Sequence, residues 1–390
     1  MRSVGLDLGA CHIAFCEVVN GKVMRKGSVR RLSELKEILG PGTERARVAF
    51  EACREGWHVH ETLLKWGQEP LMLDTTRVKQ IGVGQHGRKN DAIDAEVIAM
   101  AVDGGRVPLA HVLSPARRAL RDKLSVRGEL VEMRARQVVI IRGLARAKGV
   151  LLRTCATSNF VEHAEKGKLD ADTRALIRPL LATLRIAEEE IARLDAELAE
   201  IAKGDESIRL CATAPGVGLI VAATYVSVID DAKRFRNAHA VSAYLGLVPG
   251  EATTGGPNRR RLGGITKQGN TYARAMLVQS AWQILRNADP DDPLRRWATH
   301  IATKRGKRIA VVALARRLAG VVWAMWRDGT VYDARFAAEQ SAKGLKRDAQ
   351  KREVVAAAMT RVAQKLKRRE AKATALSSRA RGKTSTEATL

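Results

Sequence analysis

Apolar and polar positions along this chain change period several times, and each change marks an element. Residues 2–8 (RSVGLDL) alternate and stop at Gly9-Ala10, which predicts a strand with Asp7 near its carboxyl end. His12 to Val19 and Lys22 to Val29 flank Asn20-Gly21, a dipeptide suited to the two positive φ angles of a tight hairpin turn. Leu32 to Leu39 reads as helix. Ala46 to Phe50 reads as a short strand with Val48 and Phe50 on one face and Glu51 directly after it. Trp57 to Trp66 is helical, Glu69 to Leu73 is a strand, and a glycine-rich loop from Ile81 to Gly87 leads into a helix beginning at Asn90. On that helix Ile93, Val97 and Met100 are expected to face the core.

Beyond residue 113 the pattern becomes helical. Ser114-Pro115 is an N-cap followed by proline at the first helical position, and the helix is expected to run to about Arg153 with eleven Lys/Arg against three Asp/Glu. Residues 156–172 read as a polar connection. The next helix places apolar residues at 177, 180, 184, 187, 191, 194, 198 and 201 before Gly204 stops it, which is a coiled-coil seam. Such a seam suits a helical hairpin within one chain and pairing between chains equally well. Ala214-Pro215-Gly216-Val217-Gly218 then lies between apolar helices, as in the hairpin of helix-hairpin-helix DNA-binding motifs, where Gly216 and Gly218 would let backbone N–H groups approach phosphate. A plain turn explains the same residues. A short helix around His239 to Leu245 precedes a loop, Gly246 to Gly256, followed by Arg259, Arg260, Arg261, Lys267 and Arg274. Hydroxyls and glycines beside five cations suit a held phosphodiester.

Composition narrows the partners. Sixty-eight Lys and Arg against 42 Asp and Glu leave a net charge of +26, which argues for a polyanion and above all for nucleic acid. Aromatic residues make up only 4%, so backbone contacts through Arg and Lys are expected rather than base stacking. Five unpaired-looking cysteines at 11, 16, 53, 155 and 211 argue against a disulfide framework and fit a reducing cytoplasm. Cys11, His12 and Cys16 hint at zinc, but their strand-like setting favours packing. No signal peptide is evident, and the longest apolar run, Ile309 to Trp326, is broken by Arg316 and Arg317, so no membrane partner is expected. From Phe336 the chain loses its apolar pattern and carries fourteen basic and five acidic residues, a frayed or disordered basic tail that adds non-specific affinity.

The candidate chemistry lies in Arg88-Lys89-Asn90-Asp91-Ala92-Ile93-Asp94. Asp91 and Asp94 stand three residues apart on a helix, so their carboxylates leave one face. Repulsion between them is tolerated at a solvated surface or around a cation. Asp7 and Glu51, each at a strand's carboxyl end, complete a four-carboxylate set suited to a divalent metal, with Arg88 and Lys89 beside it for nucleic acid. Three meander strands followed by alternating helices and strands match the RNase H-like pattern, so the fold class is α/β plus α.

Assembled, these motifs resemble one family, the DEDD transposases of bacterial insertion sequences of the IS-one-ten type, which are guided by a bridge RNA. G-L-D-L-G at Asp7, A-F-E-A at Glu51 and K-N-D-A-I-D-A at Asp91 and Asp94 match its RuvC-like half. A-P-G-V-G at 214–218, F-R-N-A-H-A-V-S-A-Y-L-G-L-V-P at 235–249, T-T-G-G at 253–256 and R-R-R-L-G-G-I-T-K-Q-G-N at 259–270 match its transposase half. The resemblance spans roughly residues 1–330 and implies a RuvC-like nuclease domain at 1–113 and a transposase domain at 205–330, with the coiled-coil hairpin at 114–204 between them; the basic tail at 331–390 is longer than the family pattern requires. It further implies Mg²⁺ (or Mn²⁺) on the four carboxylates, a hydroxyl nucleophile that leaves a covalent phospho-enzyme and a free 3′-OH, DNA and bridge RNA as partners, and a homo-oligomer of two or four protomers. The family's nucleophile is a serine before glycine; here the position is Thr254, with Thr253 beside it. A junction endonuclease that uses metal-activated water, or a nucleic-acid-binding relative with an impaired centre, are the other readings, and an actin-like ATPase, which also opens with G-L-D-L-G, ranks last.

Overall fold

The computed structural model describes residues 1–84, 90–251 and 262–334. Arg88, Lys89, Thr253, Thr254, Arg259, Arg260, Arg261 and the basic tail lie outside the described residues. The chain divides into two compact units, Met1–Leu113 and Ser114–Leu390.

In the first unit, strands β1 (Arg2–Leu8), β2 (Ile13–Val19), β3 (Lys22–Val29), β4 (Ala46–Glu51) and β5 (Glu69–Leu73) form one sheet in the order β3-β2-β1-β4-β5. The β1-β2-β3 meander is antiparallel, whereas β4 and β5 add in parallel on the far side of β1. Asn20 and Gly21 take φ of 49° and 74°, the pair of positive angles expected of this hairpin. A 3-10 turn at Leu32–Leu35 and helix α1 (Lys36–Leu39) join with α2 (Gly56–Lys65) to cover one face, burying Val4, Leu6, Phe15, Val48, Phe50 and Leu63. Helix α3 (Asp91–Asp103) covers the other face through Ala95, Ile98, Ala99 and Val102. Asn90 caps it by accepting from the Ala92 amide at 3.0 Å.

The buried stripe of α3 is not the expected one. Ile93 and Met100 are 37% and 39% exposed, and Val97 is half-buried. The reason is distance: a Cβ on Gly5 of β1 would stand 2.2 Å from the Ala95 carbonyl oxygen and 2.6 Å from the Ala99 amide. At so close an approach only small side chains fit along the contact line, so Ala95 and Ala99 occupy it and the larger residues are displaced outward. The far end of α3 is pinned by Asp103, which accepts from Ser3 Oγ at 3.1 Å and from the Gly21 amide at 2.7 Å. The helix therefore runs back along β1 with its acidic first turn at the carboxyl ends of the strands.

The second unit is helical. Helix α4 (Pro115–Ala147) is capped by Ser114, whose Oγ accepts from the Arg117 amide and donates to Asp230 at 2.7 Å. It ends six residues earlier than expected, at a turn through Lys148 and Gly149, where Gly149 has φ 75°. Residues 157–165, expected as polar connection, instead form a 3-10 turn and helix α5 (Phe160–Glu165), which buries Phe160, Val161 and Ala164 against Ile141 and Ala145. Helix α6 (Ala171–Gly204) packs along α4, with ion pairs Arg117–Asp205, Lys123–Glu197 and Arg127–Asp195 joining the two stretches. Its buried line is 177, 181, 184, 187, 191, 194, 198 and 202; Leu180 is half-buried and Ile201 is 37% exposed, so the seam turns with the helix at both ends instead of holding a strict heptad.

Leu120, Leu124, Leu198 and Ala202 at the base of this hairpin share a core with the helices that follow. These are α7 (Glu206–Cys211), α8 (Leu219–Ile229), α9 (Ala238–Tyr244), α10 (Thr271–Asn287), α11 (Pro293–Arg305) and α12 (Lys307–Asp328). The segment read as one loop after α9 is bounded by a two-stranded antiparallel ribbon, β6 (Pro249–Glu251) and β7 (Leu262–Ile265). Helix α12 is long and apolar enough to cross a membrane, yet Leu314, Leu318, Ala319 and Val322 are fully buried in this core.

Candidate active site

Strand alternation carries two of the four predicted carboxylates to one face. On β1, Val4 and Leu6 point toward α2, so Asp7, one residue on, faces α3; on β4, Val48 and Phe50 point toward α2, so Glu51, the last residue of the strand, faces the same way. The parallel register pairs Leu6 with Phe50, which sets Asp7 and Glu51 one step beyond the same pair on neighbouring strands. Asp91 and Asp94 come down from the first turn of α3. All four line one cleft of about 380 Å³ together with Leu8, Gly9, Ala10, Cys11, His12, Val83 and Ile98.

The two helix carboxylates are held differently. Asp94 is 8% exposed, not at a solvated surface, and accepts from the Gly84 amide at 3.0 Å. Asp91 is more open and meets His12 Nε2 at 2.9 Å. His12, which the sequence pattern assigned to packing, belongs to the cleft. Its imidazole reaches the cleft because the Gly9 amide donates to the His12 carbonyl at 3.0 Å, closing the turn between β1 and β2. Proximity to Asp7 was the available signal. Cys11 also lines the cleft, whereas Cys16 lies buried with Ala14 and Val18 under α3, so the Cys11-His12-Cys16 run is no zinc site.

Four carboxylates are a hard, anionic oxygen set, and that chemistry fits Mg²⁺ or Mn²⁺. Among the described residues no three His, Cys, Asp or Glu side chains meet closely enough to ligate a common ion. Binding a cation there would draw together carboxylates that otherwise repel.

In the second unit, Gly216 (φ 69°) makes a tight turn between α7 and α8, and a Cβ there would lie 2.7 Å from the Ser280 carbonyl oxygen and 2.8 Å from Ile284. Glycine at this position lets the turn sit on α10. Gly218 is the exposed N-cap residue of α8. Lys267 is exposed, with φ 57°. Arg274 donates from Nη1 to the Leu245 and Gln268 carbonyls, both at 3.2 Å, so part of its guanidinium braces the turn ahead of α10.

Comparison with known proteins agrees with this layout. The sequence pattern described as "Transposase IS116/IS110/IS902 family" matches residues 208–295, and the DEDD transposase pattern of the same group matches residues 4–147, a span that contains all four carboxylates. A probable family 20 transposase of Pseudomonas aeruginosa is 31% identical over 292 residues, covering 73% of this chain and 85% of that protein. The chain belongs to the IS110/IS116/IS902 family of transposases. The transposase for insertion sequence element IS1111A of Coxiella burnetii is 26% identical and covers 83% of this chain and 89% of its own length. That for IS1328 of Yersinia enterocolitica is 25% identical, with 84% and 98% covered. The family is one of enzymes that cut and rejoin DNA, and DNA is therefore the partner of this transposase. Both matched regions agree with motifs legible in the sequence, and the acid cleft falls entirely within residues 4–147.

Proposed function

We propose that the transposase cuts and rejoins the DNA of its insertion sequence with Asp7, Glu51, Asp91 and Asp94 as the metal-binding carboxylates of an RNase H-like domain and Thr254 as the nucleophile. One observation carries the first half: residues from β1, β4 and α3, far apart in sequence, line a single cleft. A bound Mg²⁺ or Mn²⁺ would neutralise charge on the scissile phosphate. The four carboxylates would hold that ion, and the Thr254 hydroxyl oxygen forms a bond to phosphorus as the bond to the 3′ oxygen breaks, one proton leaving the hydroxyl and one joining the departing oxygen, giving a phospho-threonine and a free 3′-OH. Reversal with a different 3′-OH rejoins DNA without a high-energy cofactor. In this proposal a bridge RNA selects the two DNA sites by base pairing, and protomers associate so that one subunit's carboxylates meet another's hydroxyl.

The threonine supports a second reading, because its extra methyl restricts rotamers and crowds an in-line attack. If Thr254 is bypassed, water would attack phosphorus in its place, and an ion held by the four carboxylates would supply the activation. The deciding experiment mixes the transposase with Mg²⁺, the element ends, the target and transcripts of the flanking DNA, then resolves the products on a denaturing gel beside Thr254→Ala and Thr254→Ser. A protein–DNA adduct lost in the alanine variant and kept in the serine variant is expected. Nicked DNA without adduct, equal in all three proteins, would install water as the nucleophile.

A further inference from the structure

A surface outside every predicted site carries charge that the fold leaves unmatched. Between Pro293 and Arg327 the chain has nine Lys/Arg and no Asp/Glu. Four of the nine serve the fold or sit over rings and acids. Arg295 donates to the Ala288 carbonyl, Arg317 stacks on Trp297 at 4.8 Å and Arg327 pairs with Asp328, while Arg316 is half-buried. The other five, Arg296, Lys304, Arg305, Lys307 and Arg308, are exposed, and among the described residues none makes an ion pair. Arg296 and Lys304 are eight residues apart on α11, with exposed His300 midway, so they share one face over about 12 Å. Gly306, at φ 85°, turns α11 directly into α12 and brings Arg305, Lys307 and Arg308 together at that corner.

On the α4–α6 hairpin Arg117, Lys123, Arg127 and Arg193 face carboxylates. Concentrated like charge on rigid helices costs self-repulsion, which soluble surfaces usually avoid by interspersing signs. We infer that the exposed face of α11 and the α11–α12 corner is a docking surface for the phosphate backbone of duplex DNA. The inference rests on the transposase reading for the identity of the polyanion. A duplex carries one charge per about 1.7 Å of its axis, so a row of cations about 12 Å long meets several phosphates at once. No aromatic side chain is exposed on α11, Trp297 being half-buried beneath Arg317, so the surface has nothing on which to stack the splayed bases of single-stranded RNA.

The test uses full-length protein carrying Arg296→Gln, Lys304→Gln, Arg305→Gln, Lys307→Gln and Arg308→Gln together, with a charge-keeping version in which Arg and Lys are exchanged. Circular dichroism and thermal unfolding check the fold, and single substitutions replace the set should the combined variant unfold. Fluorescence anisotropy follows binding to a ~30-bp duplex, and to RNA of equal length, from ~50 to ~300 mM salt. The neutral variant should bind DNA at least ~10-fold more weakly at ~150 mM, with a salt slope shallower by about 0.9 for each phosphate that is no longer neutralised, and the exchanged version should restore both. A wild-type slope in the neutral variant overturns the surface while leaving the transposase reading intact. A loss confined to RNA overturns it in favour of RNA. Failure of the wild type itself to bind duplex overturns the DNA reading along with it.

Discussion

A methyl group on Gly5 would lie 2.2 Å from the Ala95 carbonyl oxygen, inside any permitted contact. Gly5→Ala is therefore expected to lift α3 from β1, to cost at least about 1–3 kcal/mol by overpacking, and to disturb Asp91 and Asp94 without touching either. Urea unfolding together with the DNA-cleavage assay checks this; a variant of wild-type stability and activity would mean that α3 need not lie so close. Glu17 supplies a pH-dependent contribution. Burial alone would raise its carboxyl pKa, but hydrogen bonds from Arg2, at 2.6 Å, and from Arg25 outweigh burial and hold it below the usual carboxylate value. The unfolded chain thus takes up this proton more readily. The contribution is complete above the ordinary glutamate value of about 4.3 and is lost as pH falls through the lowered native one. Glu17→Gln should be less stable than wild type at neutral pH and should decline less steeply on acidification, as read from urea midpoints across a pH series. Thiol labelling of the native protein should modify exposed Cys11 and Cys53 and spare Cys16 and Cys211, since both are buried and burial pushes the Cys211 thiol up to about 12.

At the scale of elements, the hairpin offers a direct test of where its seam runs. Leu198 is fully buried, whereas Ile201, which the heptad pattern placed in the seam, is 37% exposed. Leu198→Ala should cost about 2–5 kcal/mol and Ile201→Ala less than about 1 kcal/mol, as measured by equilibrium unfolding. Equal and large costs would place Ile201 in an interface made only between protomers. The acid helix teaches a related lesson. Its start and its paired aspartates were plain in the sequence, but its buried stripe was not. Alanine is a weak hydrophobic signal, and only the closeness of the β1 backbone at Gly5 makes Ala95 and Ala99 the contact line.

For the molecule as a whole, two units with separate cores predict two transitions in calorimetry of the full chain, one for residues 1–113 and one for the remainder. A single cooperative transition would mean that the units stabilise each other. The net charge of +26 predicts DNA binding that weakens steeply with salt. Removing residues after Arg335 takes fourteen basic and five acidic side chains from the chain and should flatten that slope. An unchanged slope after truncation would assign the salt dependence to the folded part.

The sequence by itself determined what short-range physics determines: the Asn20-Gly21 turn, the five-strand pattern, the capped helices, the charge and the four carboxylates at element ends. Periodicity and turn chemistry act over a few residues, so these features needed no partner to be visible. Tertiary structure decided the rest. It alone put Asp7 and Glu51 on the face of the sheet that α3 covers, brought His12 to Asp91, folded residues 157–165 into a packed turn, and set the Gly216 turn against Ser280 and Ile284. Each depends on which backbone lies within a few ångströms of another, and that is set by the packing of elements distant in the chain.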